Sequence, residues 1–284
     1  MNKNTIWLNQ LFSSYLRDSK IKIYFEEKNM LKNKEDTINL SIHPLRFADD
    51  IFFNFETNSM SIKQKLKKYE VNYDIFYQYA NLLKAHYQKT KSDSKIKEEA
   101  LLIVGQTQED KVLFDGKKYL NLLDFLYEIK EIGKLYKNIY FKPHPYAKNN
   151  KFIFSNLKNN IENLSLTHEN IYYLLPNENI KCVIGLNSST LYEAKYFHKK
   201  VIFLNKPYFD FKTNDIGIYG DYFSSSFWAN ILDSKDTKIS LPFVQNRLRK
   251  SLNDFWAYNQ VDTEIILKDI FKNKIKYFLS RLKS

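Results

Sequence analysis

Between residues 100 and 204, short apolar runs alternate with stretches whose apolar residues recur at helical spacing. Apolar runs that end in small or polar residues are typical of buried parallel strands, and the stretches between them are typical of amphipathic helices. Strands separated by helices predict an α/β fold in which a parallel sheet carries helices on both faces. The predicted elements are strand Leu101–Val104, helix Tyr119–Lys137, strand Asn138–Phe141, helix Ile153–Leu166, strand Ile171–Leu175, strand Lys181–Gly185, helix Ser188–His198 and strand Val201–Leu204.

The pattern before residue 96 is weaker and predicts a smaller N-terminal domain. Its predicted elements are a helix over residues 1–20, a strand from Lys20 to Glu26, a strand from Ile38 to Ile42 and a helical region over residues 60–90. The polar stretch from Thr90 to Lys97 is predicted to be a linker. We therefore expect domains at residues 1–95 and 96–262, followed by a C-terminal helix at residues 263–284.

The C-terminal stretch of residues 263–284 is basic, and its apolar residues also recur at helical spacing. We expect an amphipathic helix that packs back across both domains. Peripheral contact with an anionic inner membrane surface is the alternative, because basic amphipathic helices bind such surfaces. Aromatic packing is expected at Phe227-Trp228 and at Phe255-Trp256.

The charge of the chain favours anionic partners. Lys and Arg number 44 and Asp and Glu number 32, which gives a net charge of +12. A nucleotide, a nucleic acid or an anionic membrane surface would fit this charge. The basic residues are spread along the chain and form no recognisable motif, so we expect no nucleic acid, and a nucleic-acid-binding protein is the remote alternative.

The expected location is the cytoplasm. Cys182 is the one cysteine in the sequence, so no intramolecular disulfide can form, and its apolar surroundings predict a buried core thiol. Residues 1–10 lack the continuous apolar segment of a signal peptide. No apolar run is long enough to predict a membrane-spanning helix.

Three of the predicted strands lead directly into polar residues. Ligands of open α/β sheets bind where loops leave the carboxyl ends of the strands, so these residues form the candidate site. The loop after Leu101–Val104 supplies Gln106, Glu109 and Asp110, the loop after Asn138–Phe141 supplies Lys142, His144 and Pro145, and the loop after Lys181–Gly185 supplies Asn187, Ser188, Ser189 and Thr190.

The second and third loops have the chemistry of a phosphate site. Ser188 opens a predicted helix, whose first N–H groups and dipole attract anions, although an ordinary helix cap is the alternative. Pro143 and Pro145 fix the backbone on both sides of His144 and so orient its imidazole, although a structural histidine is the alternative. Glu193 lies one turn into the predicted helix, where it would hold a ribose or cap a neighbour.

The first loop supplies carboxylates. Asp110 would act as a general base, a nucleophile or a cap, and the alternative for the acidic pair with Glu109 is a solvated loop. A cationic phosphate cradle beside a carboxylate is what glycosyl transfer from a nucleotide sugar requires. The sequence contains no Gly-x-Gly-x-x-Gly, no Walker loop and no Asp-x-Asp, so we expect neither a dinucleotide nor a metal cofactor.

These residues resemble a known family. Gly105-Gln106 with Glu109-Asp110, then Lys-Pro-His-Pro at 142–145, then Ser188-Ser189, is similar to the pattern of the bacterial β-Kdo transferases of capsule and O-antigen assembly. Kdo is 3-deoxy-D-manno-oct-2-ulosonic acid, carried as CMP-β-Kdo. The resemblance covers roughly residues 100–260. The bacterial sialyltransferases that use CMP-sialic acid carry a similar His-Pro element.

The resemblance implies a GT-B-like architecture of two Rossmann-type domains, here with a reduced N-terminal domain. Residues 1–95 would form the acceptor-side domain, and residues 96–262 would bind the CMP-sugar donor. It implies a metal-independent transferase that moves Kdo to a glycan or glycolipid acceptor in surface polysaccharide synthesis. CMP would lie against His144, Lys142 and the helix end at Ser188-Ser189. Asp110 would be the carboxylate at the anomeric centre, a nucleophile in a retaining Kdo transferase, and Glu109 beside it is the alternative carboxylate. His144 would be a further catalytic residue. In an inverting sialyltransferase it would be a base, and the residues leave this choice open.

Overall fold

The computed structural model describes residues 21–25, 31–32, 34–47, 52–90, 96–108, 110–207, 217–219 and 225–233. The chain divides into two compact units, one formed by Met1–Ile75 with Phe209–Ser284 and the other by Phe76–Tyr208. The predicted helices at 1–20 and 263–284 lie outside the described residues, as do Glu109 and Phe255-Trp256. The three predicted domains stay a prediction.

The first unit contains a four-stranded mixed sheet in the order β1-β2-β3-β9, and β1 is parallel to β2 while the other pairs are antiparallel. The elements of this unit are β1 (Lys22–Phe25), β2 (Thr37–Ile42), β3 (Phe53–Thr57), α1 (Met60–Leu66), a 3₁₀ turn at Lys67–Tyr69, β9 (Gly217–Tyr219) and α7 (Ser225–Leu232). The two strands predicted in the N-terminal region are therefore confirmed, whereas β3 and β9 were not predicted.

The two faces of this sheet differ in chemistry. Cross-strand partners lie on one face, so Leu40 with Phe55 and Ile42 with Phe53 form an apolar face. That face packs in one core with Phe227 of α7 and other apolar side chains of α1 and α7. Trp228 also belongs to this core, so the aromatic packing predicted at Phe227-Trp228 is confirmed.

The opposite face of the same sheet is polar and buried. Asn39 donates from Nδ2 to Glu56 Oε2 at 3.2 Å and to Ser41 Oγ at 3.3 Å. His43 Nδ1 lies 2.9 Å from Asn54 Oδ1. Burial lowers the pKa of His43 to about 3, against a smaller opposing effect of that hydrogen bond, so its imidazole is neutral at physiological pH.

The second unit is an α/β layer structure around a five-stranded parallel sheet, which confirms the predicted fold class for this part of the chain. Its strand order is β6-β5-β4-β7-β8. The helix α2 (Asp74–Thr90) begins at the boundary between the units. The elements that follow it are β4 (Ala100–Val104), 3₁₀ turns at Lys111–Leu113 and Leu122–Phe125, α3 (Leu126–Gly133), β5 (Asn138–Lys142), α4 (Asn150–Asn160), β6 (Leu164–Leu166), α5 (Ile171–Leu174), β7 (Ile180–Gly185), α6 (Ser189–Tyr196) and β8 (Lys200–Phe203). The GT-B arrangement of two such domains stays a prediction.

Burial explains the continuous apolar runs of the central strands. Every residue of β4 is buried, because β4 lies in the middle of the sheet. Cys182 on β7 is also buried, as predicted for a core thiol, and belongs to the core cluster that contains Leu101 and Ile103 of β4.

Four predicted elements need correction. Ile171–Leu174 is a helix, since the Asn170 side chain caps it by accepting from Tyr172 N at 2.9 Å. Leu164–Leu166 was predicted to be the end of a helix but forms β6, which pairs with β5. The predicted helix Tyr119–Lys137 shortens to a 3₁₀ turn and α3. The helical region 60–90 is interrupted before α2, where Asn72 Oδ1 accepts from Asp74 N at 3.0 Å.

Candidate functional site

The sheet order brings the three polar loops to one edge. β4 lies between β5 and β7, so the loop after β4 leaves the sheet between the other two loops. All three strands are parallel, and their carboxyl ends therefore meet at the same edge. This is the edge at which doubly wound sheets bind their ligands.

The first and third loops are joined by the side chain of Gln106. Its Nε2 donates to Asp110 Oδ2 and to Asn187 Oδ1, both at 2.9 Å. The backbone N–H of Asn187 donates back to Gln106 Oε1 at 3.3 Å. Both ends of the amide are thus used, and the structure brings Gln106, Asp110 and Asn187 into one hydrogen-bonded cluster.

Asp110 also holds its own loop. Its Oδ1 accepts from Val112 N at 3.3 Å, within the 3₁₀ turn Lys111–Leu113. Asn187 Nδ2 donates to the carbonyl oxygen of Val112 at 2.9 Å. The half-buried Asp110 carboxylate is therefore oriented by a side-chain amide on one oxygen and a backbone N–H on the other. Oriented, partly desolvated carboxylates are suited to attack a carbon centre or to accept a proton.

The loop after β5 packs directly against Gly105. Gly105 N donates to the Lys142 carbonyl oxygen at 2.9 Å. A Cβ atom at residue 105 would lie only 2.9 Å from the backbone nitrogen of His144 and 3.3 Å from the Lys142 carbonyl oxygen. Only glycine lets the two backbones approach so closely, which explains why a glycine directly follows β4.

The proton position on His144 follows from its neighbour. The backbone N–H of Tyr146 donates to His144 Nδ1 at 3.2 Å, so the neutral imidazole carries its proton on Nε2. Asn150 supports the same loop, donating from Nδ2 to the carbonyl oxygens of His144 at 2.7 Å and Ala147 at 2.8 Å. The half-buried imidazole therefore offers an N–H donor from Nε2 in its neutral form and a charge when protonated.

Lys142 contributes a cation at the end of β5. Its side chain is half-buried, and this desolvation lowers the pKa of its ammonium group. A bound anion would oppose the shift by favouring the charged form. Pro145, next in the loop, is exposed.

The third loop begins α6 with a side-chain cap. Ser188 Oγ accepts from Thr190 N at 3.4 Å, and Asn187 and Ser188 are buried while Ser189 and Thr190 are half-buried. The dipole of α6 and the first-turn N–H groups other than that of Thr190 give this end of the helix the partial positive charge that attracts anions.

Glu193 is hydrogen-bonded to a side chain of the core. Its side chain is only 1% exposed, and its Oε1 accepts from the hydroxyl of Tyr172 at 2.9 Å. Tyr172 lies on α5 and is fully buried. The structure thus ties Glu193 to the core between α5 and α6, which agrees with the interpretation of Glu193 as a partner for a neighbouring side chain.

Two features of the site were missed by sequence analysis. The bridging role of Gln106 depends on a partner 81 positions away, and a single sequence carries no signal for such a pair. Asn150 was missed because the helix was predicted to begin at Ile153 rather than at Asn150. Asn at a helix start is a signal that could have identified it.

The described residues contain no group of three or more His, Cys, Asp and Glu side chains placed to hold a metal ion. In the same part of the chain, every helix is too short or too polar to span a lipid bilayer.

Comparisons with known proteins give little to identify the chain. No protein-family model matches it, and no curated protein sequence does. Among solved structures, KpsC of Thermosulfurimonas dismutans, a β-Kdo 2,7-transferase, is similar with a TM-score of 0.42 and 15% sequence identity, over 71% of this chain and 70% of that chain. The function therefore has to be inferred from the site itself.

Proposed function

We propose that the chain is a metal-independent glycosyltransferase that moves Kdo from CMP-β-Kdo to a glycan acceptor in bacterial surface polysaccharide synthesis. One observation carries the proposal, namely the cluster in which Gln106 links the Asp110 carboxylate to Asn187 at the start of α6. This linkage couples a carboxylate to a helix N-terminus, the two groups that transfer from a nucleotide sugar needs. The motif pattern shared with the β-Kdo transferases supports the choice of donor.

The proposed donor site uses the neutral and cationic groups beside the cluster. The phosphate of CMP would accept hydrogen bonds from the first turn of α6 at Ser188 and Ser189 and from Nε2 of His144. Lys142 would add positive charge, and its half-buried ammonium would gain a counter-ion. CMP-Kdo carries a single phosphate group, so these groups would balance its charge without a metal.

Asp110 is the proposed nucleophile. Its carboxylate would attack the anomeric carbon as the bond from that carbon to the phosphate oxygen breaks, and CMP would leave with the bonding electron pair. The acceptor hydroxyl would then attack the same carbon, the bond from that carbon to Asp110 would break to release the carboxylate, and the hydroxyl proton would pass to water. Two inversions give net retention, and Gln106 would hold Asp110 in place through both.

The second candidate is an inverting sialyltransferase that uses CMP-sialic acid. The His144-Pro145 element favours it equally, because the two families share that element. In this route Asp110 would accept a proton from the acceptor hydroxyl, which would attack the anomeric carbon directly. The donor and the fate of Asp110 therefore separate the two candidates.

The experiment measures CMP release and the intact mass of the protein with CMP-Kdo, generated in situ, and with CMP-sialic acid. We expect CMP release from CMP-Kdo and a Kdo-sized adduct on the protein. Asp110→Asn should abolish release and adduct, and His144→Ala should reduce release. Glu109→Gln tests the neighbouring carboxylate and should leave the adduct intact. Asp115→Asn is the matched control, since Asp115 caps the adjacent loop by accepting from the backbone N–H groups of Lys117 and Lys118.

Three results would contradict the proposal. Turnover of CMP-sialic acid alone would support the sialyltransferase. Full CMP release by Asp110→Asn would remove the assigned role of Asp110. Failure of CMP to raise the unfolding temperature of the protein would exclude a CMP-sugar donor, since a ligand that binds the folded state stabilises it.

A further inference from the structure

We infer that the second unit binds the surface of an anionic lipid bilayer through exposed aromatic and lysine side chains. Four aromatic residues form what we call the aromatic surface: Phe114 is 51% exposed, Tyr119 47%, Tyr146 48% and Phe152 62%. Exposed apolar groups that gather in one region of a protein mark an interaction surface. The inference concerns binding alone and is independent of the proposed donor.

Two of the four rings are carried by a tight turn. Phe114 and Tyr119 form an antiparallel bridge, and their ring centroids are 5.3 Å apart. Between them, Asp115 Oδ1 accepts from the backbone N–H of Lys117 at 2.8 Å, and Gly116 supplies a φ of +99°. The turn is therefore already ordered while its rings are exposed. Binding through these rings would not have to order the backbone that carries them.

The other two rings lie beside the same part of the surface. One shallow depression is lined by Leu113, which precedes the turn, and by Asn149, the N-cap residue of α4. Phe152 lies one helical turn after Asn149. Tyr146 lies in the loop that leads to α4, and its ring centroid is 5.8 Å from that of His144. Two separate segments thus place aromatic rings around one depression, next to the candidate site.

Exposed lysine side chains lie among these rings. Lys117 belongs to the turn, and Lys148 and Lys151 lie on either side of the start of α4. The two carboxylates of residues 114–124 have partners within the protein, since Asp115 caps the turn and Asp124 pairs with a lysine of the turn. Lysine with aromatic residues is the composition of surfaces that attract anionic headgroups and place their rings at headgroup level.

The apolar share of the surface favours a membrane over a nucleic acid. Nucleic acids are bound mainly through their phosphate groups, which requires many cations. The aromatic surface combines four rings with three exposed lysines, and the rings of Phe114 and Phe152 are hydrocarbon throughout. Such rings gain most where they leave water for the acyl boundary of a bilayer. We therefore assign the surface to a bilayer that contains anionic phospholipid.

The test is co-sedimentation of the full chain with vesicles of phosphatidylethanolamine and phosphatidylglycerol, beside vesicles of phosphatidylcholine. We expect binding to the anionic vesicles that weakens as salt is added. Phe114→Ser combined with Phe152→Ser should lower the affinity about tenfold or more. Lys148→Gln and Lys151→Gln should each lower it about fivefold at low salt. Leu135→Ser is the matched control, because Leu135 is 73% exposed but precedes β5, at the opposite edge of the sheet. Thermal unfolding checks that each variant is folded.

Tryptophan fluorescence locates the contact on the protein. In anionic vesicles that contain a brominated phospholipid, Phe114→Trp should show quenching beyond that of the tryptophans already present in the wild type. Leu135→Trp should show no such excess. Equal quenching of the two variants would contradict the assigned surface.

Three further results would overturn the inference. The first is absence of binding to the anionic vesicles. The second is full binding by the phenylalanine and lysine variants, which would assign the membrane contact to another segment, such as residues 263–284. The third is binding of another partner in place of vesicles. A random oligonucleotide would assign the surface to nucleic acid, and a dimer that dissociates in Phe114→Ser with Phe152→Ser would assign it to a second copy of the chain.

Discussion

Gln106 and Asn187 lie 81 positions apart and are joined by two hydrogen bonds that run in opposite directions. Gln106 Nε2 donates to Asn187 Oδ1 at 2.9 Å, and Asn187 N donates to Gln106 Oε1 at 3.3 Å. The same Nε2 group donates to Asp110 Oδ2 at 2.9 Å. One side chain therefore fixes the carboxylate relative to the start of α6.

Gln106→Leu removes all three hydrogen bonds while keeping the approximate size of the side chain. Because two of the partners are side-chain oxygens in a partly buried cluster, we expect the free energy of unfolding to fall by about 1–3 kcal/mol. CMP-dependent stabilisation should fall as well, since Asn187 would lose its support. Urea denaturation with and without CMP measures both effects. Gln108→Leu, an exposed position in the same loop, should change the free energy of unfolding by less than about 0.5 kcal/mol.

Gly105→Ala should disturb the site through its backbone. The new Cβ atom would lie 2.9 Å from His144 N, so the Lys142–Pro145 loop would have to move. We expect a loss of about 1–3 kcal/mol in the free energy of unfolding, together with weaker CMP binding. Calorimetry of CMP binding, beside thermal unfolding, measures the two effects.

Gly116→Ala provides the contrast to Gly105→Ala. Gly116 has a φ of +99°, and a Cβ atom there would meet nothing within 4 Å. The substitution should therefore strain its own turn by about 1 kcal/mol and leave CMP affinity unchanged. Equal loss of CMP affinity in the two alanine variants would show that the close approach of Gly105 to His144 does not matter for binding.

Lys142 and Lys199 should make stability rise with pH in the alkaline range. Burial lowers the pKa of both ammonium groups. The pKa of Lys199 falls to about 8, and the nearby cations of Lys84 and Lys181 make smaller contributions to this shift. The unfolded chain keeps its lysine protons up to about pH 10.4, so it binds more protons than the folded state as pH rises through the lowered pKa values. The cost of the buried charge is therefore present at neutral pH and is relieved at alkaline pH.

Comparison of the wild type with Lys142→Met and Lys199→Met measures this effect by urea denaturation. Between about pH 8 and pH 10, the wild type should gain stability relative to Lys199→Met. The wild type should gain stability relative to Lys142→Met over the same range. Of the two variants, only Lys142→Met should weaken CMP binding. A stability difference that does not change with pH in either variant would contradict the role of burial.

Sequence pattern predicted the second unit well because its strands are buried. β4, β5, β7 and β8 were found within one or two residues, since their apolar runs end in polar loops. The short apolar run Ile171–Leu174 was predicted wrongly, because four apolar residues in a row have no distinguishing period and Asn170 decides in favour of the helix. Leu164–Leu166 was also predicted wrongly, because pairing with β5 overrides its helical spacing.

The first unit was harder to predict for a different reason. β3 carries apolar residues on one face and Asn54 and Glu56, both buried, on the other, so polarity does not mark which residues face solvent. β9 joins the sheet through pairing of Phe53 with Tyr219, a contact between distant parts of the chain. The strand pattern of the sequence predicted the three loops of the candidate site. The hydrogen bonds of Gln106 and Asn150 were not predicted, because they depend on tertiary contacts.

Tyr172→Phe tests whether Glu193 serves the fold or the ligand. The substitution removes the hydroxyl that donates to Glu193 Oε1 at 2.9 Å, and both side chains are almost fully buried. Loss of one donor to a buried carboxylate should lower the free energy of unfolding by about 1–3 kcal/mol, because the charge loses part of its compensation. CMP affinity should be retained, since the hydroxyl supports the packing of α5 against α6. Urea denaturation and CMP calorimetry distinguish the roles, with Tyr127→Phe as an exposed control. Unchanged stability together with weakened CMP binding would instead assign Glu193 to the nucleotide.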